Sequence, residues 1–276
     1  MDRYAVIGNP ISHSRSPAIH AAFAHQTGQR LTYEALLAPL DSFADAVAQF
    51  RVDGGRGLNV TVPFKREAFA LADAHSPRAH AAGAVNTLAF GPDGVYGDNT
   101  DGVGLVRDLR HNLGCRLEGS RILLLGAGGA ARGAMLPLLG AQPASLTLAN
   151  RSTDKAEALV ATFREQRGSI PLDACGFSAL AGREFDVVIN ATAASLANEA
   201  PPLPPGVFAP GALAYDMMYR RGDTPFLAVA RRNGAARVAD GLGMLVEQAA
   251  ESFVLWRGVR PDTTPVLADL RRQIDG

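Results

Sequence analysis

Cysteine is nearly missing from this chain: Cys115 and Cys175 are the only two among 276 residues. That is too few for a disulfide framework and fits a reducing compartment, and neither cysteine carries the flanking signature of a nucleophile. The opening residues, Met1-Asp2-Arg3-Tyr4, lack the basic and apolar regions of a signal peptide. Long apolar runs are missing too. The greasiest stretch, Ile122 to Gly140, is interrupted by several glycines, Arg132 and Pro137, so no membrane span is expected. Neither sign of charge is in excess, since Lys plus Arg and Asp plus Glu number 27 each. A neutral chain has no general attraction for nucleic acid or acidic membranes, and any anion recognition must be local. None of the six histidines stands at metal-ligand spacing, and Ser195, in Thr192-Ala-Ala-Ser195, lacks a nucleophile-elbow context. A cytoplasmic protein without a metal centre is expected.

The totals are those of an ordinary globular protein, 47% hydrophobic and 20% charged. The length exceeds what one compact core usually holds, so two domains are expected. Tyr4 to Ile7 reads as a strand ending in the turn Gly8-Asn9-Pro10. Ser16-Pro17 offers an N-cap and a first-turn proline, and Gly28 a stop, so a helix is predicted over Pro17 to Thr27. Strands over Tyr33 to Leu37 and Leu58 to Val62 alternate with helices over Ser42 to Phe50 and Phe64 to Ala74. Ser76-Pro77 starts a short helix, and Val85 to Phe90 with Val95 to Gly97 form a hairpin around Asp93-Gly94. After Asp101, Val103 to Asn112 is a helical bridge. Strands over Arg121 to Leu125, Ser145 to Ala149, Asp186 to Asn190, Ala212 to Asp216 and Ala236 to Val238 then alternate with helices. The last predicted helix runs from Gly241 to Arg257, capped by Asp240 and stopped by Gly258. The alternation points to an α/β protein with mostly parallel sheets.

A strand, then Gly126-x-Gly128-x-x-Ala131, then a helix is the dinucleotide fingerprint in its required context. The first glycine permits the tight turn, the second lets the backbone approach a pyrophosphate, and Ala131 serves close helix packing. NAD enzymes place an Asp or Glu about 20 residues further on to hold the ribose 2′-hydroxyl. Here that place, 24 positions after Gly126, reads Asn150-Arg151-Ser152. No carboxylate repels a 2′-phosphate, Arg151 can fork onto one, and Lys155 adds a second charge. Cations are disfavoured at a helix start unless an anion is near, so NADP is expected rather than NAD.

Small polar residues gather at element ends in the first half: Ser14 and Ser16, Asn59, Thr61, Lys65, Asn86, and Asn99-Thr-Asp101. Hydroxyls, amides, one lysine and one aspartate suit a polyhydroxylated small molecule. Lys65 falls in the first turn of a helix, where the macrodipole opposes a positive charge and favours a lysine ready to give up its proton. Asp101, if it comes close, would hold that ammonium and accept from a substrate hydroxyl.

In order along nearly the whole chain, these segments resemble the shikimate dehydrogenase family. Gly8-Asn-Pro-Ile-Ser-His-Ser-Arg-Ser-Pro17, Asn59-Val-Thr-Val-Pro-Phe-Lys65, Gly83-Ala-Val-Asn-Thr87 and Gly97-Asp-Asn-Thr-Asp-Gly102 are similar to its substrate-domain motifs. Gly126-Ala-Gly-Gly-Ala130, Asn150-Arg151, Tyr215-Asp-Met-Met-Tyr219 and Gly241-Leu-Gly-Met-Leu-Val-Glu-Gln248 are similar to its cofactor and closing motifs. The resemblance implies an N-terminal α/β substrate domain (residues 1–101 and 241–276) and a Rossmann-type NADP-binding domain of doubly wound parallel sheet (102–240). It implies C-terminal helices returning to the first domain. Lys65 and Asp101 would be the catalytic pair, with Ser14, Ser16, Thr61, Asn86, Tyr219 and Gln248 binding substrate. NADP(H) would lie on Gly126, Ala127, Gly128, Gly129 and Ala130. Asn150, Arg151, Ser152 and Lys155 would take its 2′-phosphate end, and Met217 and Gly241 its nicotinamide. The implied activity is the reversible, NADPH-dependent reduction of 3-dehydroshikimate to shikimate in aromatic amino acid biosynthesis, by a monomer or homodimer. A quinate/shikimate dehydrogenase of NAD preference is the nearest alternative, and a silent NADP- or shikimate-binding regulator the second. One stretch departs from the pattern: Asn190-Ala-Thr-Ala-Ala-Ser-Leu196 has no serine and glycine where the family usually has them.

Overall fold

In the computed structural model, which describes residues 1–194 and 198–276, the chain divides into two compact units. The first comprises residues 1–104 and 246–268, the second 105–245 and 269–276. Of the departure from the family pattern at Ala193-Ala194-Ser195, Ser195 lies outside the described residues. Among those described, no helix is long and apolar enough to cross a membrane.

The first unit carries β1 (Asp2–Gly8), α1 (Ser16–Thr27), β2 (Leu31–Leu37), α2 (Phe43–Val52), β3 (Gly55–Val60), α3 (Lys65–Leu71), β4 (Ala74–His75), α4 (Pro77–Ala82), β5 (Thr87–Gly91) and β6 (Gly94–Asp98), and α5 (Asp101–Arg107) begins in it. Its sheet runs β2-β1-β3-β5-β6-β4. β1 pairs in parallel with β2 and β3, while the β5–β6 hairpin runs antiparallel to β3. Alternation along β1 sends Ala5 and Ile7 into a core with Phe43, Val47, Leu58, Phe64 and Ala68. The other face takes Tyr4, whose ring stacks on Trp256 at 4.6 Å. The hairpin turns at Gly94, whose φ of 120° favours glycine.

The capping signals separate into those that act and those that do not. Ser76 accepts from Ala79 N–H and starts α4, and Gly28 and Gly83 end their helices in the left-handed conformation. Ser16, read as an N-cap, is instead the first residue of α1: the N-cap position belongs to Arg15, with no side-chain cap. Helix α3 stops at Leu71, short of the predicted Ala74, because the chain there enters β4 beside β6.

The second unit continues through a single π-helical turn, Asp108–Asn112. There follow β7 (Arg121–Leu125), α6 (Gly129–Gly140), β8 (Ser145–Ala149), α7 (Thr153–Thr162), β9 (Leu172–Cys175), β10 (Phe185–Asn190), β11 (Phe208–Asp216), α8 (Pro225–Arg232) and β12 (Arg237–Ala239). All six strands are parallel, in the order β12-β11-β10-β7-β8-β9, the doubly wound arrangement with its reversal between β7 and β10. Both inner strands β7 and β10 are apolar throughout their centres, as strands covered on both faces must be. Strand β9 carries no periodic signal, and sequence reasoning passed it over.

Two final helices, α9 (Leu242–Arg257) and α10 (Thr264–Asp275), complete the chain. From Val246 on, α9 belongs to the first unit, where Trp256 Nε1–H donates to Leu88 O at 3.0 Å. The sequence reading assigned 241–276 wholly to the first domain. Residues 241–245 and 269–276 group instead with the second unit, where the Arg271 guanidinium pairs with Asp240.

Candidate active site

The polar residues singled out in the first unit collect at one edge of its sheet. Ser14 and Ser16 follow β1, and Thr61 and Lys65 follow β3, at the carboxyl ends of two parallel strands. Strand β5 runs antiparallel to β3, so Asn86 just before it lies at the same edge, as does Asp101 just after β6. Ligands in α/β sheets favour this edge.

Lys65, the first residue of α3, places Nζ 2.6 Å from Asp101 Oδ2. Both side chains are partly open to solvent, 32% and 20%, so a ligand can reach the pair. The Asn86 amide donates to Asp101 Oδ1 at 2.8 Å, while its carbonyl oxygen accepts from Thr100 N–H at 2.8 Å. A backbone N–H only donates, so this contact decides which way the amide points. Asn86 Nδ2 also approaches Thr100 Oγ1 at 2.9 Å and Gln248 Oε1 at 3.3 Å. Gln248 thus turns its side-chain oxygen toward Asn86.

Beneath lies a layer of buried hydroxyls and amides. Asn59 Nδ2 lies 3.0 Å from Thr87 Oγ1 and 2.8 Å from Ser252 Oγ, and Asn59 Oδ1 accepts from Tyr33 OH at 2.8 Å. Burial pushes the Tyr33 phenol well above its usual range, so it stays a donor. Ser252 was missed. Its signal was a hydroxyl four residues beyond Gln248, on the same face of α9. Ser14 Oγ accepts from Ser16 N–H at 3.3 Å, and Thr61 packs its methyl over Gly8, where an added Cβ would come within 2.4 Å.

In the second unit β7 leads into Gly126, with φ 105°, a conformation that favours glycine. A Cβ there would also stand 3.2 Å from the Ala191 backbone. Gly128 is the N-cap of α6 and has no side chain to cap it, so among the described residues the first N–H groups of this helix carry no side-chain cap. Over Gly128 and Gly129 an added Cβ would meet nothing within 4 Å, and Gly128, Gly129 and Ala130 are exposed, with Ala127 partly so. Bare N–H groups at an open helix start form a seat for phosphate.

Past β8, Asn150 Nδ2 donates to Ser152 O at 2.9 Å and shapes the turn into α7. Ser152 stands at the N-cap, yet its hydroxyl makes no capping bond. Arg151 and Lys155 are exposed, and neither forms an ion pair among the described residues. Two cations outside any such pair, beside an uncapping hydroxyl at a helix start, suit a dianion and fit the 2′-phosphate of NADP, with Asp154 the one carboxylate in that first turn.

The same unit brings Met217 and Gly241 together: a Cβ on Gly241 would lie 2.1 Å from Met217 O. Asp216, fully buried, accepts from Asn190 Nδ2 and Met218 N–H at 3.1 Å each and from Thr224 Oγ1 at 2.6 Å, holding this segment in shape. Tyr219 follows it, half-buried, within the second unit.

Comparison with known proteins matches this chain along most of its length. Residues 6–88 match the shikimate dehydrogenase substrate binding domain, 108–198 the shikimate/quinate 5-dehydrogenase family, and 241–271 the shikimate 5′-dehydrogenase C-terminal domain. A shikimate dehydrogenase (NADP(+)) of Aromatoleum aromaticum is 76% identical over 100% of this chain and 99% of its own. Among solved structures, an Ael1 enzyme from Pseudomonas putida superimposes with a TM-score of 0.92 at 52% identity, covering 98% of each chain. The shikimate 5-dehydrogenase of Thermus thermophilus, in complex with NADP(H) and shikimate, does so with a TM-score of 0.85 at 34% identity over 99% of each.

Proposed function

The chain belongs to the shikimate dehydrogenase family, and on that premise we propose that it reduces 3-dehydroshikimate reversibly to shikimate with NADPH. When bound, NADPH supplies the hydride for the carbonyl carbon. The open start of α6 would hold the pyrophosphate, with Gly126, Gly128, Gly129 and Ala130 giving backbone access. Arg151, Ser152 and Lys155 would hold the 2′-phosphate, and Met217 and Gly241 would support the nicotinamide. Lys65 and Asp101 are the catalytic pair. In reduction Lys65 Nζ gives a proton to the carbonyl oxygen as it becomes a hydroxyl, and in oxidation it takes that proton back. Asp101 holds the Lys65 ammonium through Oδ2 and, oriented by Asn86 at Oδ1, keeps lone pairs for a substrate hydroxyl. Ser14, Ser16, Thr61, Asn86 and Gln248, with Tyr219, bind the carboxylate and remaining hydroxyls. The protein works in the cytoplasm, where Cys115 and Cys175 stay unpaired thiols.

The observation that carries this reading is the 2.6 Å contact between Lys65 and Asp101 at the shared strand edge, with both groups accessible. Replacing Lys65 with Met should lower turnover of shikimate by ~10²–10⁴-fold, the usual worth of a positioned proton-transfer group. NADP⁺ binding, followed by cofactor fluorescence, should stay unchanged. Near-normal turnover of the variant would refute the role. Running shikimate and quinate against NADP⁺ and NAD⁺ separates the proposed activity from quinate oxidation.

A further inference from the structure

Each backbone N–H in the turn that delivers Asp101 is held by a side chain. Asn99 N–H donates to Asp98 Oδ1 at 2.7 Å, Thr100 N–H to Asn86 Oδ1 at 2.8 Å, and Asp101 N–H to Asn99 Oδ1 at 3.2 Å. Asp98 contributes twice, because its carbonyl oxygen also accepts from Asn86 N–H at 3.0 Å. It therefore touches both the residue that bears the carboxylate turn and the residue that aims the carboxylate.

Asp98 is only 3% exposed. A carboxylate so buried is costly unless every lone pair is used. Here Arg78 forks onto it, Nε to Oδ1 at 2.7 Å and Nη2 to Oδ2 at 2.6 Å. The Ser76 hydroxyl, which also caps α4, donates to Oδ1 as well. Burial would raise this carboxyl's pKa, but the Arg78 fork and charge, with Ser76 and Asn99 N–H, hold it below the usual range. Beyond the fork, Arg78 Nη1 lies 3.9 Å from Glu251 of α9. Capping Asn99 N–H alone would need no more than a neutral acceptor. A planar fork clamped on a buried carboxylate fixes its rotation as well as its place.

We propose that Arg78 and Asp98 are positioning residues for catalysis: their ion pair sets the rotation of the Asn99-Thr100-Asp101 turn and so the aim of the Asp101 carboxylate at Lys65 and substrate. This rests on the proposed role of Asp101. Neither residue touches substrate; both act through the turn.

A double-mutant cycle in the full chain tests this, using Arg78→Met, Asp101→Asn and the two combined. Arg78→Met should lower kcat by about 10–100-fold, the scale of loss from a displaced catalytic group. NADP⁺ binding, a property of the second unit, should be unaffected. In the Asp101→Asn background the same Arg78 change should cause no further fall, since the aim of a lost carboxylate no longer matters. Wild-type kcat in Arg78→Met, or an equal proportional loss in both backgrounds, overturns the proposal. Should Arg78→Met not fold, Arg78→Lys, which keeps the charge and loses the fork, is run through the same cycle. Normal turnover of Asp101→Asn would instead sink the catalytic pair itself, a result distinct from either.

Discussion

His20 sits inside the first unit, 1% exposed, its ring stacked on Tyr33 at 4.1 Å, and neither ring nitrogen has a hydrogen-bond partner among the described residues. Burial pushes its pKa down to about 3, against a smaller opposing effect of Asn59. The folded chain therefore keeps this imidazole neutral while the unfolded chain takes up a proton as the pH falls below 6.5. The contribution of neutral burial is full above that value and is lost toward pH 3, by up to about 1.4 kcal/mol per unit. His20→Phe should flatten the fall in urea midpoint between pH 6 and 4; an unchanged slope would show that another group carries it. Lys65 and Arg151 could be picked out beforehand, because each puts a positive charge at a helix start, where the macrodipole opposes it, whereas Asp101, at the start of α5, has a local reason for its charge. Ser16 misled, since Ser-Pro before an apolar run is also a favoured helix start. His20 gave no warning, as a polar residue on an apolar face looks like one more surface position until the partner face is known, and the spacing of Ser252 from Gln248 gained meaning only once α9 was placed.

Among the elements, turns and caps were most legible. Gly126 at φ 105° and Gly94 at φ 120° are demanded by the local backbone, and Asp-Gly between alternating runs announces a hairpin. Gly241 is a different case. Its need for glycine comes from Met217 O, 2.1 Å from where a Cβ would go, and nothing in the flanking residues discloses it. Gly241→Ala should destabilise the second unit by about 1–3 kcal/mol through overpacking. It should also raise KM for NADP⁺, because relief requires the Met217 segment to move. A variant with wild-type melting and KM would mean that the segment yields freely. Strand β9 escaped notice for the same reason: it is four residues at a sheet edge, and its pairing with β8 is long-range.

Each of the two units has its own core, and the cofactor is assigned to only one of them. A ligand that binds the folded state alone stabilises it by mass action, about 2.7 kcal/mol at a hundredfold excess over Kd. NADP⁺ should therefore raise the melting temperature of the protein well above the effect of equal NAD⁺. Arg151→Ala should erase most of that difference, since a charge-assisted fork on phosphate contributes roughly 1.5–3 kcal/mol. Equal shifts from both cofactors in the native protein would contradict the NADP assignment.

The chain order of strands and helices, the glycine turn and the choice of a cation over a carboxylate after β8 are all written in short stretches of residues. Each depends on backbone preference or charge within a few positions of itself. The buried polar layer is not of this kind. Asn59 meets Ser252 across 193 positions and Asn86 meets Gln248 across 162, and the Arg78 fork reaches Asp98 from a separate helix. Hydrogen bonds act over about 3 Å of space with no regard for separation along the chain. Which polar side chains share protons therefore depended on how sheet, α4 and α9 pack together.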